Sequence, residues 1–491
     1  MKILLLNPPR FNMIKISSDW FVDLGEISSF PPIGLMYIAG YLRKHSNYKI
    51  SLVDSIAEGM SYSDIEILFK KEQPDVLGIT AFTFTFYDVL KTIKLAKMVN
   101  PKIIVVLGGP HISMFWQETL SHKEVDYIIE GDGEISFLKL LNSLENKDAL
   151  LKIPGLIYKQ KNTIIKNEPE TITNLDALQF PAFDLLNLSK YYSTLGTQKN
   201  VGTICTSRGC PFRCSYCQVR DKKYRYRTSG NIAEELQLYI KKGIDDFFFF
   251  DDMFNITADR VLSICNEILK QKLKITWSFR GRVDQVNEEM FKLAKAAGCR
   301  LVLFGIEDYT NENLKKINKN ITIEQSITAI KLAKKYKILT STNWIIGFPH
   351  HKSEQDIYKL LKTAKKINSD YAQFSILQLM PHSKMYNDCI EEKTLNKNTW
   401  SDFAKNPTPD FYIELYEKYL TRKKLVELYK MCYKKYYIRF FYIVKNIFKT
   451  NSWTEFMVKS KVFFKIFFQK REKDVIPAKA GIQKNSKKLD S

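Results

Sequence analysis

No stretch of this 491-residue chain approaches about 18 uncharged apolar residues, so the sequence predicts no membrane-crossing helix. The apolar opening from Met1 to Leu6 is too short for a signal peptide and runs at once into Pro8-Pro9, so secretion is not expected either. Acidic residues are in deficit: 53 Asp and Glu stand against 75 Lys and Arg, a net charge of +22. More than half of that excess falls at the end, where Phe411 to Ser491 hold 20 Lys or Arg and only 7 Asp or Glu. Such basicity points to nucleic acid or an anionic membrane surface, or else to the Lys, Ile, Asn, Phe and Tyr bias of an AT-rich genome. The cysteines lack a pairing pattern. Cys205, Cys265, Cys299, Cys389 and Cys432 are scattered, as reduced thiols in a cytoplasmic protein would be. The length exceeds one ordinary core and predicts two domains plus an appendage.

What is present is a loop with chemistry. In Thr206-Ser207-Arg208-Gly209-Cys210-Pro211-Phe212-Arg213-Cys214-Ser215-Tyr216-Cys217, three cysteines are spaced CxxxCxxC just after the apolar run Val201 to Cys205. Three thiolates on one tight loop can each bind one iron of a cuboidal iron-sulfur cluster, and with no fourth cysteine nearby one iron keeps an open position. Gly209 permits close backbone approach, Pro211 stiffens the loop, and Tyr216 sets an aromatic ring beside the cluster. The alternative is a structural zinc knot that recruits Cys205 as fourth ligand.

The loop, following a strand, resembles the signature of the radical S-adenosylmethionine (radical SAM) superfamily. The resemblance implies that Cys210, Cys214 and Cys217 hold a 4Fe-4S cluster whose open iron chelates the amino and carboxylate groups of S-adenosylmethionine. One electron, from a donor such as flavodoxin or ferredoxin, then cleaves the sulfonium to a 5′-deoxyadenosyl radical.

Upstream, residues 1 to about 145 alternate short apolar strands, ending near Asn7, Asp54, Thr80, Gly108 and Glu130, with amphipathic helices. This pattern predicts an α/β domain with a doubly wound, flavodoxin-like or Rossmann-like parallel sheet, with ligands at the carboxyl ends of the strands. The segments there are Asn7-Pro8-Pro9, Thr80-Ala81-Phe82-Thr83, Gly108-Gly109-Pro110-His111 and Glu130-Gly131-Asp132-Gly133-Glu134. With Pro31-Pro32-Ile33-Gly34-Leu35 and Asp54, they resemble the cobalamin-binding domain that precedes many radical SAM cores. The resemblance implies cobalamin contacts at Asn7, Thr80, Thr83, Gly108, Gly109, Glu130 and Gly131. One departure is clear: where many such domains carry Asp-x-His-x-x-Gly after the first strand, this chain reads Pro8-Pro9-Arg10-Phe11-Asn12-Met13 and offers cobalt no histidine. His111 is expected to cap a turn or line the pocket. A domain that only docks the barrel and binds nothing is the plainer alternative.

Residues 146–195 read as a connector with a hairpin around Lys161-Asn162. From residue 196 to 385, six strand-helix units predict a partial (β/α)6 TIM-type barrel, the radical SAM core, with catalytic groups at the carboxyl ends of its strands. The resemblance implies S-adenosylmethionine contacts at Tyr216, Asp251, Arg280, Arg282, Glu307 and Gly347. The competing role for the arginines and Glu307 is a strand-end salt-bridge ring, with Glu307 paired to Arg280 or Arg282. After Gly347-Phe348-Pro349 the family commonly continues with glycine, glutamate and threonine. Here His350-His351-Lys352 stands instead, and two histidines facing substrate are an expectation of that change.

Residues 386–471 form a helical, basic and aromatic region. Phe464, Phe467 and Phe468 share one face between lysines, suited either to the inner face of an anionic membrane or to packing on the barrel. Residues 472–491 show no period and are expected to be disordered. Together these features predict a cobalamin-dependent radical methyltransferase acting on an unactivated carbon of a small, hydrophobic substrate, with no nucleic acid involved. The alternatives are a cobalamin-dependent anaerobic oxidoreductase or cyclase, and a non-catalytic basic binding protein.

Overall fold

The computed structural model describes residues 1–16, 28–161, 163–193, 200–219, 223–439 and 442. Seven strands form the first sheet: β1 (Lys2–Asn7), β2 (Lys49–Asp54), β3 (Val76–Thr80), β4 (Ile104–Gly108), β5 (Tyr127–Ile129), β6 (Leu156–Gln160) and β7 (Thr163–Lys166). Their order is β2-β1-β3-β4-β5-β6-β7, with the first five parallel. Ile3, Leu4, Leu5 and Leu6 of β1 are all buried, as expected of a strand covered by helices on both faces. The order reverses between β1 and β3, so the switch point lies above Asn7 and Thr80. The hairpin read as part of the connector instead extends this sheet, because β6 pairs antiparallel with β5 through Leu156, Ile157 and Tyr158.

The second sheet has six parallel strands in sequence order: β8 (Val201–Ile204), β9 (Asp246–Phe249), β10 (Thr276–Gly281), β11 (Cys299–Glu307), β12 (Leu339–Ile346) and β13 (Tyr371–Ile376). No pairing joins β13 back to β8 among the described residues, so the barrel is open. Helices return between strands, and Thr228, Thr257, Asn287 and Thr322 each accept a backbone N–H at a helix N-terminus. An extra helix, Asn311–Lys316, interrupts the unit after β11.

Faces alternate along the strands. Phe247, Phe249, Trp277 and Phe279 pack with Tyr239 and Phe254 on the helix side. Phe248, paired with Ser278, points to the other side, where Phe30 lies 5.2 Å from it. The free edge of the barrel is covered from the C-terminal helix Arg422–Tyr437: the Tyr433 hydroxyl accepts from Phe374 N and donates to Phe374 O, both at 3.1 Å. Tyr436 donates to Ser369 O at 3.0 Å. These two aromatics therefore take the packing role, whereas Phe464, Phe467, Phe468 and residues 472–491 lie outside the described residues.

Met1–Tyr436 form one compact unit and Tyr437–Ser491 another. Within the first, the segment 399–422 returns to the start of the chain. Lys15 bridges to Tyr412, Arg422 donates to Ile16 O at 2.6 Å, and Ser401 donates to Glu118 at 2.6 Å. No described helix is long and apolar enough to cross a membrane.

Candidate active site

The cysteine loop is anchored from below by Asp251, at the end of β9. Its oxygens accept from Thr206 N at 2.7 Å, from the Thr206 hydroxyl, and from the Ser207 hydroxyl at 2.6 Å. Arg260 closes the anchor by donating to Thr206 O at 3.0 Å. Asp251, expected to touch S-adenosylmethionine, is thus occupied in holding the loop. Gly209 turns the chain with φ +84, a conformation costly for any other residue, directly before Cys210. Cys217 N donates to Cys214 O at 3.1 Å in a tight turn, and the loop is gripped from outside through Ser215 N to Ile317 O (2.9 Å) and Met385 N to Ser215 O (2.8 Å).

Cys210, Cys214 and Cys217 are partly exposed. Cys205 differs: its thiol lies 3.3 Å from Ser207 O, and burial pushes its pKa to about 12. The contact of its thiol with Ser207 O sets Cys205 apart from the three loop cysteines. Three sulfurs on one loop fit a cluster with one open iron.

Beside the loop stands Glu307, the last residue of β11. Its backbone has φ +76, a strained value for a residue with a side chain. The carboxylate lies 3.2 Å from Lys319 Nζ and is hydrogen-bonded to Tyr216. Burial first, then the Glu307 carboxylate and the neighbouring Cys214 and Cys217, hold the Tyr216 pKa well above its ordinary value. A side chain at position 305 would put its Cβ 2.2 Å from the Glu307 oxygen, so Gly305 is what admits the pair. Glu307 is therefore salt-bridged, but to Lys319 rather than to either arginine. Lys319 follows the extra helix and carries no local sequence signal. Arg282 pairs with Asp284 through two 2.9 Å bonds and stacks on Phe212 of the cysteine loop, 3.8 Å from the ring centre.

The His350-His351 pair converges on Asp308. Asp308 Oδ2 receives His350 Nε2 at 2.5 Å and His351 Nε2 at 3.2 Å, while Oδ1 accepts from Tyr309 N at 2.6 Å and Asn313 Nδ2 at 3.1 Å. Burial opposes ionisation, but these bonds outweigh it and keep the carboxyl well below the usual carboxylate range. Gly347 N donates to His351 Nδ1 at 3.2 Å, which places the ring proton on Nε2. The three side chains are close enough to share a cation, but that proton fills the ligand position. His351 is buried and locks the turn at Gly347 (φ +87) instead of facing substrate. His350 stacks on Phe348, whose ring meets Tyr216 edge-on at 5.7 Å.

On the first sheet, Asn7, Thr80, Thr83, Gly108, Gly109, Glu130 and Gly131 all lie at the carboxyl edge of the parallel strands or just beyond it. A Cβ at Gly108 would meet only Ile129 O, at 3.8 Å, which leaves that strand end open to a flat ligand. Gly109, with φ +102, is required by the turn itself, since its Cβ would fall 2.8 Å from Ala81 O. Phe11 and Phe82, 59% and 49% exposed, offer apolar surface at the ends of β1 and β3. Two expected contacts are engaged by the protein: Asn7 donates to Asp54 at 2.8 Å, and Glu130 pairs with Lys166 at 2.9 Å.

His111 is wholly buried, stacked on Phe86 at 3.8 Å, with Nδ1 3.1 Å from the Thr83 hydroxyl. Desolvation lowers its pKa from 6.5 to about 3. Between those values the unfolded chain binds a proton that the native protein refuses. Stability is therefore complete above about pH 6.5 and falls by about 1.4 kcal/mol per pH unit on acidification toward pH 3. Urea midpoints at pH 7.5 and pH 5 should show about 2 kcal/mol more acid loss for the wild type than for His111→Phe. Equal losses would place the proton elsewhere.

The two domains meet at the cysteine loop. Arg208, two residues before Cys210, donates to Asp132 at 2.7 Å, in the loop after β5, and to Glu134 at 2.5 Å, in the first turn of the helix Gly133–Asn142 that follows. Arg225, on the short strand paired with Ser207–Arg208, reaches Asp132 at 2.6 Å. Tyr37, from the helix Ile33–His45, donates to Cys205 O at 3.3 Å and accepts from Arg227 at 3.1 Å.

The profile of the radical SAM superfamily matches residues 204–364, and that of the B12 binding domain matches residues 28–141. An uncharacterized methyltransferase of Pyrococcus horikoshii is 34% identical over 478 residues, covering 96% of this chain and 99% of that one. The chain belongs to the B12-binding radical SAM family. The chain is also similar to the anaerobic magnesium-protoporphyrin IX monomethyl ester cyclase of Rubrivivax gelatinosus, 28% identical over 79% of this chain and 70% of that protein. The fold is also that of the radical enzyme OxsB, solved with aqua-cobalamin and S-adenosylmethionine (TM-score 0.72, 17% identity, 95% of this chain and 71% of that one). The family's cofactors, a 4Fe-4S cluster with S-adenosylmethionine and a cobalamin, belong respectively to the open barrel and to the doubly wound sheet.

Proposed function

We propose that this enzyme transfers a methyl group to an unactivated carbon of a small, hydrophobic molecule, and that the cysteine loop and the first sheet's carboxyl edge act on the same substrate. The observation that carries this reading is the bridge from Arg208 to Asp132 and Glu134, which fixes one loop to the other over two residues of chain. Bound together, the cofactors would supply a hydrogen-abstracting radical and a methyl donor, a combination suited to carbon that is not nucleophilic. Cys210, Cys214 and Cys217 would hold the cluster. Glu307, poised by Lys319 and Gly305, would accept from the ammonium or ribose hydroxyls of S-adenosylmethionine, and Tyr216 would cover the cluster. Gly108, Gly131 and Thr80 would line the flat cobalamin. His111, held in its stack on Phe86, is a pocket-lining residue in this reading and leaves cobalt without a histidine. A donor such as flavodoxin or ferredoxin would deliver the electron, and a hydrophobic substrate would suit contact of the basic C-terminal region with a membrane.

The P. horikoshii relative's name supports methyl transfer, and the Rubrivivax relative's name keeps the oxidative cyclase as the second reading. Reconstituted enzyme given methyl-labelled S-adenosylmethionine, a reductant and extract of a deletion strain should label a metabolite that gains one methylene unit. Formation of 5′-deoxyadenosine with an oxidised, unlabelled product would favour the cyclase.

A further inference from the structure

Arginines around the barrel mouth are spoken for. Arg208 and Arg225 bind Asp132, Arg227 binds Glu235, Arg260 holds the cysteine loop, and Arg282 binds Asp284. Arg280 alone among these makes no hydrogen bond or ion pair with the described residues. It lies near the end of β10 on the face shared by Phe248 and Ser278, the side away from the helices. Its guanidinium lies 5.2 Å from the centre of the Phe248 ring and 5.1 Å from that of Phe250. Phe30, from the segment entering the helix Ile33–His45, packs on both rings at 5.2 and 5.9 Å. Part of the side chain's surface is accessible, while the atoms packed around its guanidinium lower its pKa by burial; Phe250 is 37% exposed, and the opposing charge that acts on Arg280 is the exposed Asp252.

A guanidinium lying on aromatic rings gains attraction from their faces but leaves its N–H donors, which point outward in its own plane, unsatisfied. Two parallel oxygens complete that geometry. We propose that Arg280, with Phe248, Phe250 and Phe30, is an anion-binding subsite of the substrate pocket, and that it takes a carboxylate carried on a flat or apolar body. The proposal rests on the function proposed above and narrows its substrate class to hydrophobic acids. S-adenosylmethionine also brings a carboxylate, but the arginine that touches the cysteine loop is Arg282, through Phe212. Arg280 lies instead on Phe248 and Phe250, the two rings against which Phe30 of the first domain packs.

Phenylglyoxal footprinting of the reconstituted holoenzyme tests this directly. Arg280 should be modified about tenfold faster than the paired Arg282. 2-Naphthoate should slow its modification by about fivefold or more, whereas the uncharged 2-naphthamide and S-adenosylmethionine should change it less than about twofold. Protection by S-adenosylmethionine alone would assign the anion to the cofactor and overturn the proposal. So would an Arg280 that resists modification, or one that neither carboxylate protects. Formation of 5′-deoxyadenosine by the same preparation reports separately on the radical chemistry: its absence, with the naphthoate footprint intact, would strike the proposed function and leave the anion site standing.

Discussion

Cys214→Ala protein, reconstituted anaerobically, should lose the visible absorbance of its cluster and all formation of 5′-deoxyadenosine, while Cys205→Ala protein keeps both. The wild type should carry about four irons and four sulfides, as three thiolates plus one open iron require. The contrast between the two cysteines is structural. Cys214 sits in the turn closed by Cys217 N, partly exposed, on a loop whose backbone is tied to Asp251, Ile317 and Met385. Cys205 ends the preceding strand with its thiol turned to Ser207 O and its proton retained by burial. Removing Cys214 deletes one of three holds on the cluster, and nothing on that loop can replace it. Loss of the cluster in Cys205→Ala, or zinc in place of iron after anaerobic purification, would defeat the assignment.

The second large effect should come from Arg208→Ala. Arg208 is shared by two largely buried carboxylates, Asp132 and Glu134, and the substitution leaves Arg225 alone to face them. Breaking a buried pair in this way costs about 3–5 kcal/mol, of which the partly exposed edge of Arg208 makes the lower figure the better guide. Arg208→Lys should recover little, because one ammonium cannot span two carboxylates as a planar fork does. The telling readout is the ratio of two activities. Cleavage of S-adenosylmethionine needs only groups of the barrel and should survive within about threefold, whereas transfer of labelled methyl to product should fall at least about tenfold as the two loops lose register. A parallel decline of both would reduce Arg208 to a stabilising residue.

Much of this architecture was legible in the sequence because it is written locally. Short apolar runs and amphipathic helices marked the strands and helices of both sheets, and the cysteine spacing marked the loop. The strand-end residues Glu307, Asp251 and Arg282 were found for the same reason, since a strand's last polar residue must lie at the mouth. Their partners were not legible. Lys319 reaches Glu307 from beyond a helix that has no counterpart in the other barrel units, and Asp132 meets Arg208 across 76 positions of sequence. Asp251, expected as a cofactor contact, also forms the floor of the cysteine loop, because a carboxylate at a strand end serves backbone N–H groups as readily as a ligand. The histidine pair misled in the opposite direction. Two adjacent imidazoles suggested a reactive face, and one buried carboxylate, Asp308, gathers both.

The return of residues 399–422 to the first domain bears on how the protein is made. Arg422 donates to Ile16 O, 406 positions upstream, and Tyr412 meets Lys15. The first sheet can assemble as soon as it leaves the ribosome, since its strand pairings all lie within the first 166 residues. Its last contacts, however, wait for nearly the whole chain. During that interval, while the barrel strands emerge one by one, the stretch around Lys15 and Ile16 has no C-terminal segment to receive it. Completion of the enzyme is thus a late event in translation, and premature termination anywhere before the returning segment would leave a first sheet that cannot close its clasp.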